Sequence, residues 1–492
     1  MQVYQNFIAG EFVTSQGTRR IANVNPADTR DVLGEVVQST KAEAEHAVEV
    51  AAKAFKSWRT TPAPKRGAIV AKAAQIMAAR KEEIARTLTR EEGKLLSEAL
   101  GEMQRAINIS EFSAAHGRRL NGEVIPLELA NNVGYTMKEP VGVAAIITPW
   151  NFPAAIPIWK MAPALVAGNT VVFKPASLVP ATAQLLMECF AEAGLPAGVL
   201  NMVLGSGGEV GNTFVDHPAV RLVSFTGSTD IGLGIYKRAA GRGIRAQCEM
   251  GGKNPVIVCD DADLDLAVSG VYAGAFGSTG QRCTATSRVI VQHGVADAFL
   301  ERLLAQVQTM KVGNPLEADV DMGPSVDASQ LKTVLDYIDI GTNQGAELLC
   351  GGDRPTHAAC AHGHFVNPTI FDKVQPHMRI HNEEIFGPVL SVVRVESFDE
   401  ALEVANHSEF GLTSSIYTRD LTRTFRYIHE IETGITHVNS PTLGGEAQMP
   451  FGGLKNTGVG PREQGTEVFD FYTETKAVYI DFTGAKREGK LY

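Results

Sequence analysis

The chain has 492 residues, of which 44% are hydrophobic and 20% are charged, a composition that is typical of globular proteins and unlike that of disordered ones. The formal net charge is -10 and no basic block occurs, so we expect no binding to the phosphate backbone of a nucleic acid. A chain of this length is expected to fold as about two or three domains.

The cysteines and the apolar segments indicate a cytoplasmic protein. The six cysteines include no C-x-x-C pair, which argues against a disulfide framework and against a zinc site. The amino terminus lacks the cationic and apolar regions of a signal peptide. The uncharged stretch 140–159 has the length of a membrane-spanning helix, but its four prolines would break such a helix in lipid. We therefore expect no metal and no membrane contact.

In chain order, the first predicted elements are helices. Ala-rich amphipathic patterns predict helices over residues 41–58, 65–92 and 97–118, and a Pro-rich breaker at 61–64 separates the first two. From residue 141 onward, short β-branched runs alternate with helical patterns. The predicted strands are 141–148, 170–173, 220–225, 255–258, 288–291, 389–393, 414–417 and the terminal run 469–482. The predicted helices are 180–193, 231–240, 264–276, 295–310 and 330–341. This alternation predicts an α/β fold with parallel sheets in two α/β domains.

Three motifs combine a turn with a chemically active side chain. Cys283 follows Gly280 ahead of a predicted strand, Glu249 ends a strand-like run before two glycines, and Asn151 lies in a Pro-framed turn after a strand. Each motif alone has a simpler explanation. A lone cysteine is more often a buried apolar residue than a nucleophile, and Asn and Glu are common at turns.

Two further motifs are candidates for binding a nucleotide. Gly227 and Ser228 lie between a predicted strand and a helix start, where free backbone N–H groups bind phosphate, although the spacing differs from the usual dinucleotide motif. Lys174 and Ser177 follow another strand, where an adenosine ribose could lie. A solvated lysine at a strand end explains Lys174 equally well.

Together these motifs resemble those of the aldehyde dehydrogenase superfamily, in the same order and spacing and over essentially the whole chain. Residues 384–388 and 450–453 also match that family. The resemblance implies an aldehyde dehydrogenase-like α/β fold with the active site between two large domains.

The resemblance also implies a domain division. A Rossmann-like cofactor domain would comprise residues 1–120 and 141–252, and an α/β catalytic domain would comprise residues 253–462. A small β oligomerisation extension, residues 121–140 and 463–492, would pair between subunits. The protein is therefore expected to be a homodimer or a homotetramer.

Five residues receive catalytic roles from the resemblance. Cys283 would attack the aldehyde and carry the thioester, and Asn151 together with the Cys283 N–H would form the oxyanion hole. Glu249 would activate the water that hydrolyses the thioester. Lys160 and Glu463 would form a proton relay, although a structural salt bridge explains either residue as well.

For the cofactor, the resemblance implies NAD or NADP. Ser228 would bind the pyrophosphate, Lys174 the adenosine ribose and Glu384 the nicotinamide ribose, while Phe386 would pack near the nicotinamide. The other residues assigned to the cofactor site are Trp150, Ser177, Gly227 and Gly232. Strongly NAD-selective members of the family usually carry a Glu where this chain has Ser177, so we expect NADP to be accepted well, with a preference for it left open.

The closest resemblance within the superfamily is to α-ketoglutaric semialdehyde (2,5-dioxopentanoate) dehydrogenases, in residues 59–67, 280–288, 320–324 and 438–453. However, Trp159 stands where several semialdehyde dehydrogenases place a carboxylate-binding arginine. We hypothesise that Arg282 binds the distal carboxylate of a semialdehyde instead, although pairing with an acidic neighbour explains Arg282 at least as well. Phe152 and Phe451 would line the apolar part of the substrate channel.

Other functions remain open from the sequence. The substrate could be an aromatic or aliphatic aldehyde. A coenzyme A-acylating dehydrogenase would release the thioester to a thiol, but such enzymes generally lack a base at the position of Glu249. A non-catalytic protein would be expected to have lost the nucleophile, the base or the oxyanion donor, and all three are present. A cysteine hydrolase would need a histidine base, and no histidine is linked to Cys283 by the sequence.

Overall fold

The computed structural model describes residues 1–484 and 486. Its α-helices are α1 Lys41–Trp58, α2 Ala63–Ala79, α3 Lys81–Glu92, α4 Leu96–His116, α5 Ala155–Ala167, α6 Pro180–Glu192, α7 Asn212–Asp216, α8 Thr229–Gly241, α9 Leu264–Phe276, α10 His293–Gln308, α11 Ala328–Asn343, α12 Arg379–Asn382, α13 Phe398–Asn406, α14 Leu421–Glu430 and α15 Val468–Tyr472. Its β-strands are β1 Val3–Tyr4, β2 Asn6–Ile8, β3 Glu11–Val13, β4 Arg20–Val24, β5 Val32–Val37, β6 Val124–Ile125, β7 Asn132–Pro140, β8 Val143–Ile147, β9 Thr170–Lys174, β10 Leu200–Met202, β11 Val220–Thr226, β12 Arg245–Glu249, β13 Asn254–Val258, β14 Thr286–Gln292, β15 Glu347–Cys350, β16 Thr369–Asp372, β17 Val389–Val395, β18 Phe410–Gly411, β19 Thr413–Tyr417, β20 Ile435–Val438, β21 Leu454–Lys455, β22 Gly458–Val459 and β23 Thr473–Asp481.

The first large sheet has eight strands in the order β22-β12-β11-β8-β9-β10-β2-β3. Its five central strands, from β12 to β10, are parallel. In β8, Ala144 and Ile146 pack into one hydrophobic core, and Val143, Ala145 and Ile147 pack into a second core on the opposite face. Because alternate side chains of a strand point to opposite faces, a strand buried on both sides is a continuous apolar run.

The second large sheet has seven strands in the order β15-β16-β17-β14-β13-β19-β20. All neighbouring pairs are parallel except the edge pair of β15 and β16. Val256 and Val258 of β13 face a core that includes Phe299 of α10, while Ile257 faces a core that includes Val334 of α11. The two parallel sheets confirm the predicted α/β fold class.

A smaller antiparallel sheet joins two distant parts of the chain in the order β23-β7-β6. β7 and β23 pair along their whole length, from Thr473 opposite Pro140 to Asp481 opposite Asn132. Tyr479 of β23 is 71% exposed. Within this chain, the end of the predicted extension thus pairs with the segment before residue 141. Residues 485 and 487–492 of the predicted extension lie outside the described residues.

The run predicted as one helix over 65–92 is two helices, α2 and α3, which meet at Arg80. The Arg80 backbone leaves the helical region, with φ -99° and ψ 12°, and its guanidinium pairs with Glu83 and Glu188. Both helices bury their apolar faces in the same core. Hydrophobic periodicity therefore continues across the break and could not reveal it.

Two further expectations about the chain ends were wrong in part. The five short strands β1 to β5 precede α1, in a region where no strand was expected. The run predicted as a strand over 469–482 begins as the helix α15, because Phe469, Phe471 and Tyr472 are buried in the core that contains α5. In the described part of the chain, no helix combines the length and the apolar character needed to cross a bilayer.

Candidate active site

The predicted site residues lie where the two large sheets meet. Asn151 follows β8, Lys174 ends β9, Ser228 follows β11 and Glu249 ends β12, so all four lie at the carboxyl edge of the first sheet. Cys283 belongs to the other half of the site and lies just before β14 of the second sheet. Ligands commonly bind at the carboxyl ends of parallel strands. Residues 250–253, between β12 and β13, connect the two sheets.

The loop that carries Cys283 has an unusual backbone. Ser278 and Thr279 adopt positive φ values of 49° and 59°, a conformation that costs on the order of 1–3 kcal/mol for a non-glycine residue. Hydrogen bonds offset this cost, since Ser278 N donates to Glu98 Oε1 at 2.7 Å and Thr279 Oγ1 donates to Gly323 O at 3.0 Å. Gly280 follows with φ 66°, and a Cβ there would lie 2.2 Å from the Gly387 carbonyl oxygen. The surroundings thus fix the shape of this loop.

Burial and neighbouring charged groups set the pKa of the Cys283 thiol. Its own carbonyl accepts a hydrogen bond from Asn254 Nδ2 at 2.7 Å, which fixes the backbone at the sulfur. Burial raises the pKa of the thiol to about 12; the carboxylates of Glu384 and Glu249 also raise it, whereas Arg105 lowers it. The thiol is therefore protonated at neutral pH, and a nucleophilic role requires the proton to be removed.

Asn151, predicted to donate to the oxyanion, contacts the cysteine loop directly. It is 3% exposed, and its Nδ2 donates to the Gln281 carbonyl at 3.2 Å. The Asn151 carbonyl accepts from Lys94 Nζ at 2.6 Å, and Lys94 also pairs with Glu102 at 2.7 Å. A buried ion pair therefore holds the backbone from which the Asn151 amide projects.

Glu102 also fixes the segment that follows Asn151. Its Oε1 accepts hydrogen bonds from Ala154 N at 2.8 Å and Ala155 N at 3.1 Å, at the start of α5. A carboxylate at a helix N-terminus satisfies N–H groups that have no partner within the helix. The same carboxyl group thereby binds both the Lys94 ammonium and the first turn of α5.

Glu249, predicted to be the general base, is 4% exposed. Burial raises its pKa well above the ordinary value and the nearby Glu463 raises it further, whereas Lys160 and Arg462 lower it. A Cβ at Gly452 would lie 2.5 Å from Glu249 Oε1, so the chain leaves room for this carboxyl group only because residue 452 is a glycine. Within the described residues, Glu249 Oε2 has no hydrogen-bond partner and can accept one from a water molecule.

Lys160 and Glu463, predicted as a proton relay, form a buried ion pair. Lys160 Nζ also donates to Ser224 Oγ at 2.9 Å. The Glu463 and Phe451 backbones pair with each other through two hydrogen bonds, of 2.6 and 2.8 Å. Both the relay and the salt-bridge interpretations are compatible with this geometry. In either case the pair acts electrostatically on Glu249.

A cavity of about 290 Å³ lies next to Cys283. Its lining includes Trp150, Asn151, Thr226, Gly227, Ser228, Gly251, Cys283, Glu384 and Phe386. Seven of the residues predicted from the sequence for the catalytic and cofactor sites thus share one cavity. Glu249, Lys174, Ser177 and Gly232 are not part of this lining.

The cavity wall offers groups that could bind a phosphate or a ribose of a nicotinamide cofactor. Ser228 lies at the N-terminus of α8, and its side chain makes no capping hydrogen bond, so this hydroxyl and the free N–H groups are available for phosphate. Gly232 lets α8 pack closely, since a Cβ there would lie 2.5 Å from Met250 Sδ. Glu384 Oε1 accepts from Gly252 N at 2.9 Å, which orients the carboxylate at the cavity wall.

Trp150 and Phe386 form an aromatic pair at this cavity, with ring centroids 5.4 Å apart in an edge-to-face arrangement. Phe386 has a positive φ of 57°, which is uncommon for a bulky residue. Gln330 Nε2 stabilises this backbone by donating to the carbonyls of Ile385 and Phe386 at 3.0 and 2.9 Å. The position of the Phe386 ring is therefore well defined.

Lys174 and Ser177 lie after β9, as predicted. Lys174 is 5% exposed, its Nζ donates to the Pro175 carbonyl at 2.9 Å, and burial lowers its pKa to about 8. Ser177 Oγ donates to the Gly205 carbonyl at 3.2 Å. Among residues 1–484 and 486, neither side chain forms an ion pair or hydrogen bond with a carboxylate.

The residues predicted to bind substrate divide into aromatic side chains and Arg282. Trp159 packs against Phe451, with centroids 5.4 Å apart, and Phe152 lies beneath the cations of Lys94 and Arg282. Arg282 Nη2 pairs with Glu98 Oε1 at 2.8 Å. The structure therefore favours the acidic-neighbour explanation of Arg282 over the substrate-binding one.

Sequence analysis did not identify the polar face of α4. Glu98, Glu102 and Arg105 are spaced by four and three residues, so they share one face of the helix. Glu102 is 3% exposed and therefore needs partners, but the helical pattern alone does not show that this face points inward. Only the structure reveals that those partners are the active-site loops.

The chain was compared with known proteins. A family model described as "Aldehyde dehydrogenase family" matches residues 12–478. An α-ketoglutaric semialdehyde dehydrogenase from Bacillus subtilis is 47% identical over 97% of this chain and 98% of its own. A 2,5-dioxopentanoate dehydrogenase from Saccharolobus solfataricus is 43% identical over 97% of this chain and 99% of its own. A crystal structure of betaine aldehyde dehydrogenase from Staphylococcus aureus in complex with NAD+ superposes with a TM-score of 0.95, at 35% identity over 98% of this chain and 96% of that one.

Proposed function

The chain belongs to the aldehyde dehydrogenase family and oxidises an aldehyde with a nicotinamide cofactor; we propose that its substrate is α-ketoglutaric semialdehyde. The observation that carries the substrate assignment is the identity of 47% and 43%, over 97% of the chain, to two enzymes named for this compound. The same compound was favoured by the sequence motifs alone.

We propose that Cys283 forms a covalent bond to the aldehyde. The thiol gives its proton to a water molecule, the sulfur attacks the carbonyl carbon, and the oxyanion of the resulting adduct receives hydrogen bonds from the Asn151 amide and the Cys283 N–H. Support comes from the contact between Asn151 and the cysteine loop. The cofactor, when bound, supplies the acceptor for the hydride that leaves this carbon.

Glu249 is proposed to complete the turnover. It takes a proton from a water molecule, whose oxygen attacks the thioester carbon, and the C–S bond then breaks to release the carboxylic acid and the Cys283 sulfur. The raised pKa of Glu249 and its unpaired Oε2 support this role, because a base poised nearer to neutral pH accepts a proton more readily. Its presence also argues for water, and not coenzyme A, as the acceptor.

The cofactor is proposed to be NADP or NAD, with NADP well accepted. Residue 177 is a serine with no carboxylate to repel a 2′-phosphate, and the nearby Lys174 has no acidic partner among the described residues. Ser228 would bind the pyrophosphate, while Glu384 and Phe386 would contact the nicotinamide half. The edge-to-face pair of Trp150 and Phe386 would form a wall for that ring.

We further propose a cytoplasmic homo-oligomer with the domain division given above. The two large sheets support a cofactor domain and a catalytic domain. The sheet of β23, β7 and β6 exposes Val124, Tyr479 and Ile480, and exposed apolar residues on one element commonly mark a protein interface. All six cysteines carry free thiols, which supports a reducing compartment.

A substrate panel tests the proposed function. The rate of nicotinamide reduction is measured with α-ketoglutaric semialdehyde, pentanal and benzaldehyde, each with NAD+ and NADP+. We expect kcat/KM to be at least about ten-fold higher for the semialdehyde, because a single charge-assisted contact discriminates to that extent. A higher kcat/KM for pentanal or benzaldehyde would contradict the substrate assignment. Formation of an acyl-CoA when coenzyme A is added to the assay would contradict the role of water.

A further inference from the structure

Two side chains bind three consecutive backbone carbonyls in the segment that carries the proposed nucleophile. Asn254 Nδ2 donates to the carbonyls of Cys283 and Ala285, at 2.7 and 2.8 Å. Thr442 Oγ1 donates to the carbonyl between them, that of Thr284, at 2.8 Å. Rotation of any of these three peptides would break at least one hydrogen bond. Asn254 and Thr442, called the clamp residues below, therefore define the orientation of this segment.

The clamp residues are themselves held in place. Asn254 is buried, and its Oδ1 accepts from Thr413 N at 3.3 Å, so both ends of its amide are bonded. The Thr442 hydroxyl is also buried and lies 2.8 Å from Thr286 Oγ1. A Cβ at Gly274 would lie 2.2 Å from Thr286 Oγ1, so α9 packs this closely only because residue 274 is a glycine. The clamp is thus a rigid part of the catalytic half of the site.

The orientation of the first clamped peptide affects the sulfur. The C=O and N–H groups of a trans peptide point in opposite directions, so the bond from Asn254 to the Cys283 carbonyl turns the Thr284 N–H away from Asn254. This N–H donates a hydrogen bond to the Cys283 sulfur and lowers the pKa of the thiol, against the larger raising effect of burial. A hydrogen bond to an ionised group favours the ionised form.

We propose that Asn254 and Thr442 are positioning residues that aim the Thr284 N–H at the Cys283 sulfur and thereby promote loss of the thiol proton. This inference rests on the proposed function, in which Cys283 is the nucleophile. The proton passes to a water molecule, and the electron pair of the S–H bond stays on the sulfur, where the Thr284 N–H stabilises the charge. Both clamp residues are uncharged, so they act through the orientation of the peptide and not as counter-ions.

A purely structural role of the clamp predicts the opposite effect on the reactivity of Cys283. If Asn254 and Thr442 only held the loop closed, their loss would expose the sulfur, and an alkylating reagent would reach it faster. If they aim the Thr284 N–H, their loss lowers the fraction of thiolate, and alkylation becomes slower because the thiolate is the reactive form. The direction of the change in alkylation rate therefore separates the two roles.

The test measures the rate at which iodoacetamide alkylates Cys283 in the full-length enzyme at pH 8, with Cys283→Ala as the background for the other thiols. We expect Thr442→Val and Asn254→Ala each to lower this rate roughly three- to ten-fold. A weakened hydrogen bond raises the pKa of the thiol by up to about one unit, which lowers the thiolate fraction about ten-fold, and the higher nucleophilicity of the remaining thiolate offsets part of this loss. Thr442→Ser retains the hydroxyl and should recover most of the rate.

Thr170→Val is the matched control, because Thr170 is a buried threonine of β9 whose hydroxyl donates to the Ala51 carbonyl at 3.0 Å in the first large sheet. It should leave the alkylation rate unchanged, and circular dichroism shows that each variant is folded. An unchanged or faster rate in either Thr442→Val or Asn254→Ala would overturn this inference and leave the proposed function intact. Near-native aldehyde oxidation by Cys283→Ala would instead overturn the proposed nucleophile itself.

Discussion

Glu98 and Glu102 lie one turn apart on α4, and each carboxyl group holds a different wall of the proposed active site. Glu98 Oε1 accepts from Ser278 N in the loop that carries Cys283. Glu102 Oε1 accepts from Ala154 N, next to the loop that carries Asn151. A single rigid helix therefore sets the distance between the nucleophile and the oxyanion donor, and such preorganisation is the main source of transition-state stabilisation in acyl-transfer sites.

We therefore predict that Glu102→Gln lowers kcat roughly ten- to a hundred-fold with little change in KM. The amide keeps the shape of Glu102 but removes the charge that holds Lys94, so the carbonyl of Asn151 loses its fixed partner. Loss of one oxyanion donor costs about a hundred- to a thousand-fold, and displacement should cost less. Steady-state kinetics and the thermal unfolding temperature are measured together. A fall in kcat that merely matches the unfolded fraction would argue against a positioning role.

The second prediction separates the proposed roles of Glu249 and Cys283. Glu249→Gln should release one equivalent of reduced nicotinamide per active site and then stall, because acylation of the cysteine precedes the water attack that Glu249 assists. Rapid-quench or stopped-flow absorbance measures the burst. Cys283→Ala is the control and should give neither burst nor turnover. Absence of a burst in Glu249→Gln would place Glu249 in an earlier step.

The third prediction concerns pH. Burial and Glu463 raise the pKa of Glu249, and a base must be deprotonated to act, so turnover should fall as pH decreases through this raised pKa. Glu463→Gln removes the neighbouring negative charge and should therefore move the acidic limb of the kcat profile to lower pH. Lys160→Met removes a positive charge that lowers the pKa of Glu249, and should move the limb to higher pH. Shifts in the same direction for both variants would contradict this electrostatic account.

The fourth prediction is that Ser177→Glu changes cofactor preference toward NAD+. The new carboxylate would accept hydrogen bonds from ribose hydroxyls and repel a 2′-phosphate, so the ratio of kcat/KM for NADP+ to that for NAD+ should fall roughly ten- to a hundred-fold. Ser177→Ala, which loses only the hydroxyl that now bonds Gly205, should shift the ratio much less. A native enzyme that does not use NADP+ would remove the basis of this prediction.

How far the site could be predicted from sequence depends on the kind of residue. Nearby glycines or prolines next to strands drew attention to Cys283, Asn151 and Ser228, the family resemblance supplied their expected roles, and the structure brings all three to one cavity. Arg105 and Glu98 were not predicted, because nothing in a helical pattern distinguishes an inward-facing charge from a solvated one. Their partners come from segments far away in the chain, and only folding brings them together.

The same distinction holds for the fold. Strands such as β8 and β13 were predictable because both faces are buried and residues 143–147 and 255–258 are apolar. The break between α2 and α3 was not, because the apolar pattern continues across Arg80 while its side chain forms ion pairs with Glu83 and Glu188. Tertiary contacts of a polar residue thus account for this error.

The final prediction concerns Arg282, for which the sequence left two roles open. Its Nη2 and Nε bond Glu98 Oε1 and Ser278 Oγ, and its side chain is 17% exposed. We expect Arg282→Leu to lower kcat by a similar factor, on the order of ten-fold, for α-ketoglutaric semialdehyde and for pentanal. The loss arises because the partly buried Glu98 carboxylate and the left-handed backbone at Ser278 each lose a partner, and both substrates depend on the cysteine loop.

Comparison of KM between substrates decides the question. If Arg282 binds the distal carboxylate, Arg282→Leu must raise KM for the semialdehyde alone and leave kcat for pentanal unchanged. If Arg282 supports the loop, KM for the two aldehydes must change in parallel while kcat falls for both. We expect the parallel change, because the Arg282 cation already forms an ion pair with Glu98.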